Sequence, residues 1–300
     1  MNGEKPGERP GVTIGEHWRA RFGAKVRRVS LDPGFSCPNR DGTVGAGGCV
    51  YCDEASFSPS AGDPRPVGEQ LRAAIYAHEQ KKPGLLYAAY LQPRTNTHAP
   101  LAEIAKVLDE IAREPRAAVL CVGTRPDAVP DAVLALLASR LPRFGEIWLE
   151  LGLQSSHDRT LRLLNRGHGS DAFADAAKRA AARGLKICAH IILGLPGETA
   201  SMERETADFI ASLPVEGVKL HQLSVIRGTV LEKMYREGFA PVLTEEEYAS
   251  RAAAFIKRLP PGIILHRLVG DILGENLIAP RFDKGRVLRI LEKELSPPLL

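Results

Sequence analysis

Short runs rich in β-branched and aromatic residues return along this chain, and most are followed by a longer stretch with apolar residues at helical spacing. The runs are KVRRVSL (25–31), LLYAAYLQ (85–92), AAVLCVGT (117–124), EIWLELGLQ (146–154), LKICAHIILG (185–194), VKLHQLSVI (218–226) and GIILHRLV (262–269). Between them lie GEQLRAAIYAHEQ, LAEIAKVLDEIAR, PDAVLALLASRL, DAFADAAKRAAARG, ASMERETADFIASL and EEEYASRAAAFIKRL, punctuated by Gly184 and Pro214 where two of the predicted helices end. Strands joined through helices lie parallel, so the chain is committed to an α/β fold on a parallel sheet. Roughly six β/α units fit a closed or partly closed barrel better than an open sheet, and either form gathers ligands at the carboxyl ends of the strands. The unusual polar residues fall at those ends: Gln92 to His98, Arg125 to Asp127, Gln154 to His157, Gly194 to Glu198 and His221 to Arg227.

With 300 residues, such a core needs no disulfide staples. The five cysteines are odd in number, and the start MNGEKPGERPG lacks the apolar stretch of a signal peptide, so a reducing cytoplasm is the expected compartment. No apolar run approaches the roughly 18 residues of a membrane span. Residues 1–13 are expected to be loose, 14–240 to form the barrel, and 241–300 to form a C-terminal extension packed on it. That extension ends in an amphipathic helix, FDKGRVLRILEKEL, with Arg286, Arg289 and Lys293 along one flank. Forty Lys+Arg against 36 Asp+Glu give a net charge of +4, which permits an anionic partner such as RNA but lacks the basic stripe of a committed nucleic-acid binder.

Three of the five cysteines crowd into CPNRDGTVGAGGCVYC, residues 37–52, with spacing C-x11-C-x2-C in the loop after the first long strand. Clustered thiols in a cytosolic chain point to metal or catalysis before disulfides. A structural zinc site wants four ligands, and this loop holds no fourth cysteine or histidine. Three thiolates with an open fourth position suit a [4Fe–4S] cluster whose last iron takes something other than protein. A zinc ribbon completed by a distant histidine, or three cysteines that only pack, stay open as alternatives. Cys121 and Cys188, in the middle of apolar runs, read as small buried hydrophobes.

With this loop, the chain resembles the radical S-adenosylmethionine (radical SAM) superfamily, in particular the YhcC/YtqA type (MnmL-like), related to the radical domain of Elongator acetyltransferase-like proteins. The residues that carry the likeness are VSLDPGFSCPNRDG (29–42), GGCVYC (47–52), AYLQPRTNTHAP (89–100), CVGTRPD (121–127), WLELGLQSSHD (148–158), LNRGH (164–168), GLKICAHIILGLPGE (184–198) and KLHQLSVIRGT (219–229). The eleven-residue first spacer departs from the commonest C-x3-C-x2-C pattern and is similar to this branch. The resemblance implies a partial (β/α)6 TIM-like radical SAM barrel with a C-terminal helical extension. In it Cys37, Cys49 and Cys52 bind three irons of a [4Fe–4S] cluster, and the fourth iron chelates S-adenosyl-L-methionine (SAM). Reductive cleavage of SAM then yields a 5′-deoxyadenosyl radical, the cofactor carrying the chemistry that the protein orients and shields.

By position, the same likeness puts Tyr51 beside the adenine, with a packed loop aromatic as the plainer reading. Gln92, with the TNT that follows it, stands where many members carry a Gly-Gly-Glu run for the SAM amino group. Glu150, Gly152 and Gln154 share strand parity and point inward, and the resemblance then implies Glu150 on the ribose hydroxyls. Arg166 clamps the SAM carboxylate or else caps a helix. Gly194, with Leu195, Pro196 and Gly197, brings backbone near the adenine or makes an ordinary strand-to-helix turn. His190 and His221 are pocket residues or satisfied core histidines, and Arg125 pairs with Asp127. The likeness further implies tRNA as substrate, with carboxymethylaminomethyl on the wobble uridine converted to aminomethyl, a partner methyltransferase completing the product, and a one-electron donor of flavodoxin or ferredoxin type. Arg227, Arg267 and Arg281, with the flank of the last helix, are the expected phosphate contacts. A radical SAM enzyme acting on a small molecule or protein, and a non-enzymatic metal-binding RNA adaptor, are the competing readings.

Overall fold

Runs rich in Val, Ile, Leu and Tyr become central parallel strands because both of their faces are covered. The computed structural model describes residues 11–295. Its strands are β1 (Val12–Thr13), β2 (Val26–Leu31), β3 (Leu86–Leu91), β4 (Ala117–Thr124), β5 (Glu146–Gln154), β6 (Lys186–Leu193), β7 (Gly217–Gln222), β8 (Val225–Ile226), β9 (Ile264–Arg267) and β10 (Leu277–Ala279). The main sheet runs β1-β9-β7-β6-β5-β4-β3-β2, parallel at every pairing. So β2 to β7 are the six units expected, in sequence order, and β9 and β1 extend the sheet beyond them.

Helices cover the outer face. In Leu101–Ala112, Ile104, Val107, Leu108 and Ile111 bury the i, i+3, i+4, i+7 stripe against the sheet. The inner face is curled upon itself. Arg28 on the edge strand β2 reaches His266 on β9, with Nη2 3.1 Å from Nδ1, although five strands separate the two in the sheet. The molecule is thus an α/β partial barrel. Its amino end is plugged by Trp18, Val26, Val119, Trp148 and Ile264, and Cys121 and Cys188 sit in the same layer, fully buried. The segment after residue 240 adds helices Glu245–Ile256 and Lys284–Glu294, which pack on one another, as well as β9.

Three departures from the sequence expectation have local causes. Of the N-terminal stretch expected to be loose, residues 1–10 lie outside the described residues, but Val12 and Thr13 pair with Ile264 and Leu265. Thr13 and Glu16 then form a reciprocal capping box that starts a helix, Ile14–Phe22, ended by Gly23 at φ 66°. The run 218–226 is two strands, not one: β7 stops at the barrel rim, and β8 leaves to pair antiparallel with β10. Among the described residues no helix is long and apolar enough to cross a membrane.

Candidate active site

The cysteine loop sits on the carboxyl rim, where it is held by backbone and amide bonds. The carbonyl of Cys37 accepts from the N–H groups of Arg40 and Asp41, at 2.8 and 3.1 Å. Asn39, almost wholly buried, donates from Nδ2 to the carbonyl of Asn165 at 2.5 Å and faces Cys49 Sγ at 3.5 Å. In return Asn165 Nδ2 donates to the carbonyl of Gly48 at 2.7 Å, and Val50 N–H to that of Leu164 at 3.1 Å. Gly47 and Gly48 both have positive φ, at 78° and 79°, a reversal that side chains resist. The CPNRDG and LNRGH motifs are therefore two halves of one clasp.

Within this clasp the thiols differ. Arg166 is buried and donates through Nη1 to Cys49 Sγ and to the Tyr51 hydroxyl, each at 3.2 Å, while Nη2 donates to the carbonyl of Gly152 at 2.7 Å. Burial opposes ionisation of Cys49, but the guanidinium charge of Arg166 overrides it and lowers the thiol below its ordinary value. Cys52 is pushed up to about 11 by burial and by the neighbouring Cys49. All three thiols are free, and no three His, Cys, Asp or Glu side chains among the described residues converge closely enough to hold a single metal ion. Soft donors lining one chamber, and a cation that favours thiolate at Cys49, fit an iron–sulfur cluster.

The funnel behind the loop has two chambers. One, of about 160 Å³, is lined by Cys37, Cys49 and Cys52 with Glu150, Gly152 and Arg166. The other, of about 220 Å³, is lined by Lys219, His221, Gln222, Arg267 and Gly270. Tyr51, Gln92, Gln154 and His190 line both, so the chambers are contiguous.

At the boundary lies Glu150, fully buried on β5. It takes an ion pair from Lys219 Nζ on β7, one from Arg28 Nη2 on β2 at 3.1 Å, and a contact with His190 Nε2 on β6 at 2.8 Å. His266 Nδ1 on β9 stands 3.6 Å away. Burial alone would raise the Glu150 carboxyl, but Lys219 and then Arg28 hold it well below the usual carboxylate range. Burial draws Lys219 down to about 8, against the pull of Glu150. His190 falls to about 4 and His266 to about 3, first through burial. His221 also lies well below 6.5, through burial and then the charge of Arg267.

Most of the sequence-derived candidates meet in this funnel: Cys37, Cys49, Cys52, Tyr51, Gln92, Glu150, Gln154, Arg166, His190 and His221. Several are already engaged. Gln92 donates to the carbonyl of Phe57 at 2.6 Å, and Gln154 sits at φ 72° where the β5–β6 register slips. The carboxylate of Glu150 is turned to cations instead of standing bare, and Arg166 is turned to Cys49 and Tyr51. In the TNT, Asn96 and Thr97 are spent on backbone and on Thr124. Arg125 grips Asp127 through two bonds, at 2.9 and 2.8 Å. Gly194 lines neither chamber; its N–H bonds Glu203, and a Cβ there would meet Leu243 at 2.9 Å. Lys219 and Tyr90 were missed, and Arg267, expected as a phosphate contact, lines the larger chamber. Lys219, a cation in an apolar strand two residues before His221, carried a parity signal that could have found it.

A parallel barrel with a three-cysteine loop on its carboxyl rim defines a class of enzymes that generate radicals from SAM. The Radical SAM superfamily model matches residues 39–210, and the Radical_SAM C-terminal domain model matches 215–296. This chain belongs to the radical SAM superfamily and, within it, to the group that contains YhcC. It is 39% identical to YhcC of Escherichia coli over 91% of this chain and 87% of that protein. It is 30% identical to a tRNA uridine(34) acetyltransferase of Dehalococcoides mccartyi, over 63% of this chain and 41% of that one. Among solved structures, Elp3 of Methanocaldococcus infernus superposes with a TM-score of 0.63 at 19% identity, covering 90% of this chain and 63% of that one. Members of the superfamily use a [4Fe–4S] cluster and SAM.

Two outcomes follow from the charge network. His190, His221 and His266 are neutral when folded, so between about 4 and their ordinary 6.5 the unfolded chain binds more protons than the folded one. Stability therefore rises with pH across that window, and the urea midpoint should fall as pH drops from about 6.5 to about 4. A flat midpoint across it would contradict neutral histidines. Glu150→Gln strips the carboxylate from buried Lys219 and partly buried Arg28 and should cost about 3–5 kcal/mol in urea unfolding at neutral pH; a loss below about 1 kcal/mol would mean the network is not paired as described.

Proposed function

We propose that this radical SAM enzyme acts on the wobble uridine of tRNA, converting a carboxymethylaminomethyl side chain to aminomethyl, which a partner methyltransferase then completes. The cluster is held by Cys37, Cys49 and Cys52, and its electron comes from a flavodoxin- or ferredoxin-type donor. When bound, cluster and SAM supply a 5′-deoxyadenosyl radical that takes one hydrogen atom, and they take back the second electron of a two-electron oxidation. On this tail the oxidation falls on the methylene between nitrogen and carboxylate. Water hydrolyses the resulting iminium, the amine stays on the uridine, and the two carbons leave as an aldehyde acid.

The chain's own residues set the stage for that chemistry. Arg166 donates to both Cys49 Sγ and the Tyr51 hydroxyl and favours thiolate at Cys49. Tyr51, Gln154 and His190 form the wall that cofactor and substrate share. The observation that carries the reading is the two-chamber funnel: the thiols line one end, and a compartment sized for a side chain adjoins it. The similarity to a tRNA uridine(34) acetyltransferase supports the substrate class. The exposed surface contributes less than its composition suggested, since Arg286 on the last helix pairs with Glu245 and Glu246.

The test is anaerobic reconstitution with iron and sulfide, reduction, and incubation with SAM and tRNA carrying the carboxymethylaminomethyl group. Wild type should yield 5′-deoxyadenosine together with aminomethyluridine, and Cys49→Ala neither. SAM cleavage with the nucleoside untouched would move the substrate to another class. One zinc per chain without labile sulfide would favour a metal-binding RNA adaptor.

A further inference from the structure

The 220 Å³ chamber holds a positive charge that no carboxylate among the described residues answers. Three cations line it, Arg94, Lys219 and Arg267, against a single carboxylate, Glu54. Glu54 is taken by Arg94, at 2.7 Å from Nε, and by Arg40 at 3.4 Å. Lys219 is spent on Glu150. Arg267 alone has no carboxylate within ion-pair distance among the described residues. It also belongs only to this chamber, not to the one that holds Cys37 and Cys49. Of the three arginines expected on an outer phosphate-binding surface, it therefore faces inward.

Local backbone irregularity puts it there. Arg267 closes β9 beside Lys219 on β7, and the register slips just before that pair. As a result His266 faces Glu150 while the next residue, Arg267, still lines the chamber; in a regular strand the two would point to opposite faces. The chain beyond is fixed by a reciprocal amide pair: Gly270 N–H donates to Gln222 Oε1 at 2.8 Å, and Gln222 Nε2 donates to the carbonyl of Gly270 at 3.1 Å. The wall around the guanidinium is thus built, and its one carboxylate, Glu54, is taken by Arg94 and Arg40.

We infer that Arg267 is the specificity residue of this chamber, binding a carboxylate on the substrate and so orienting the adjacent C–H toward the thiol-lined chamber. A guanidinium presents two parallel donors that match a carboxylate, and among low-dielectric walls the match counts for more than in water. This deepens the proposed function, on which the identity of the acidic tail rests; the carboxylate site itself stands on charge and geometry.

The site can be tested without tRNA. In cluster-reconstituted protein labelled with nitrogen-15 arginine, the Arg267 Nε–H resonance, assigned through Arg267→Lys, is followed by NMR during titration with sarcosine or its neutral amide, sarcosinamide. Sarcosine should shift it saturably, with saturating SAM present or absent, and sarcosinamide should bind at least roughly tenfold more weakly. In Arg267→Gln and Arg267→Lys, which lack that resonance, sarcosine binding is read by isothermal titration calorimetry: Arg267→Gln should lose saturable binding that wild type shows, and Arg267→Lys should keep a weaker one, as expected of a retained charge without the fork. Equal binding of acid and amide would overturn the site, as would a resonance that SAM itself moves and blocks. An enzyme that passes this test yet leaves tRNA unchanged refutes the tRNA reading alone. Sarcosine without effect, with Arg267→Gln converting tRNA at the wild-type rate, refutes this inference alone.

Discussion

Glu150 is the charge around which the interior of the barrel is arranged. A carboxylate with no water around it must be met by cations or it neutralises, and Glu150 draws one partner each from β2, β6 and β7, with β9 close by. Those strands span nearly the whole sheet, so the pairing requires the sheet to curl. The apolar plug of Trp18, Val26 and Trp148 below it removes the space that water would need. Curl and plug together leave a funnel at the carboxyl rim.

The network also divides the funnel. Lys219 and Arg28 are committed to Glu150, and His190, His221 and His266 are kept neutral by burial, so among the described cations that line the larger chamber Arg267 is the one without a carboxylate partner. At the opposite end Arg166 favours thiolate at Cys49. One end of the funnel is suited to soft metal and the other to a hard anion, and Tyr51, Gln154 and His190 line both.

How much of this could be read from sequence depended on distance along the chain. The long strands and their helices were legible because their signal is local: β-branched runs, helical spacing, and punctuation such as Gly184. The thiol loop was legible because its three cysteines lie within sixteen residues. The helix at 14–22 was legible in principle, since its T-x-x-E box is local, but it was not among the segments singled out, and the Gly- and Pro-rich stretch before it drew the reading of residues 12 and 13 toward loose chain. What joins residues far apart was not legible. Parity placed Glu150 on the inner face, but nothing near it says that Lys219, 69 residues on, takes its charge. Parity failed outright for Arg267, where a slip in register turns a residue inward that regular alternation would turn out.

The central claim is that three thiols hold a four-iron cluster and leave its last iron for SAM. Mössbauer spectroscopy of protein reconstituted with iron-57 tests it directly. The account predicts one iron distinct from three, and a change at that iron alone when SAM is added. Four equivalent irons, indifferent to SAM, would contradict it.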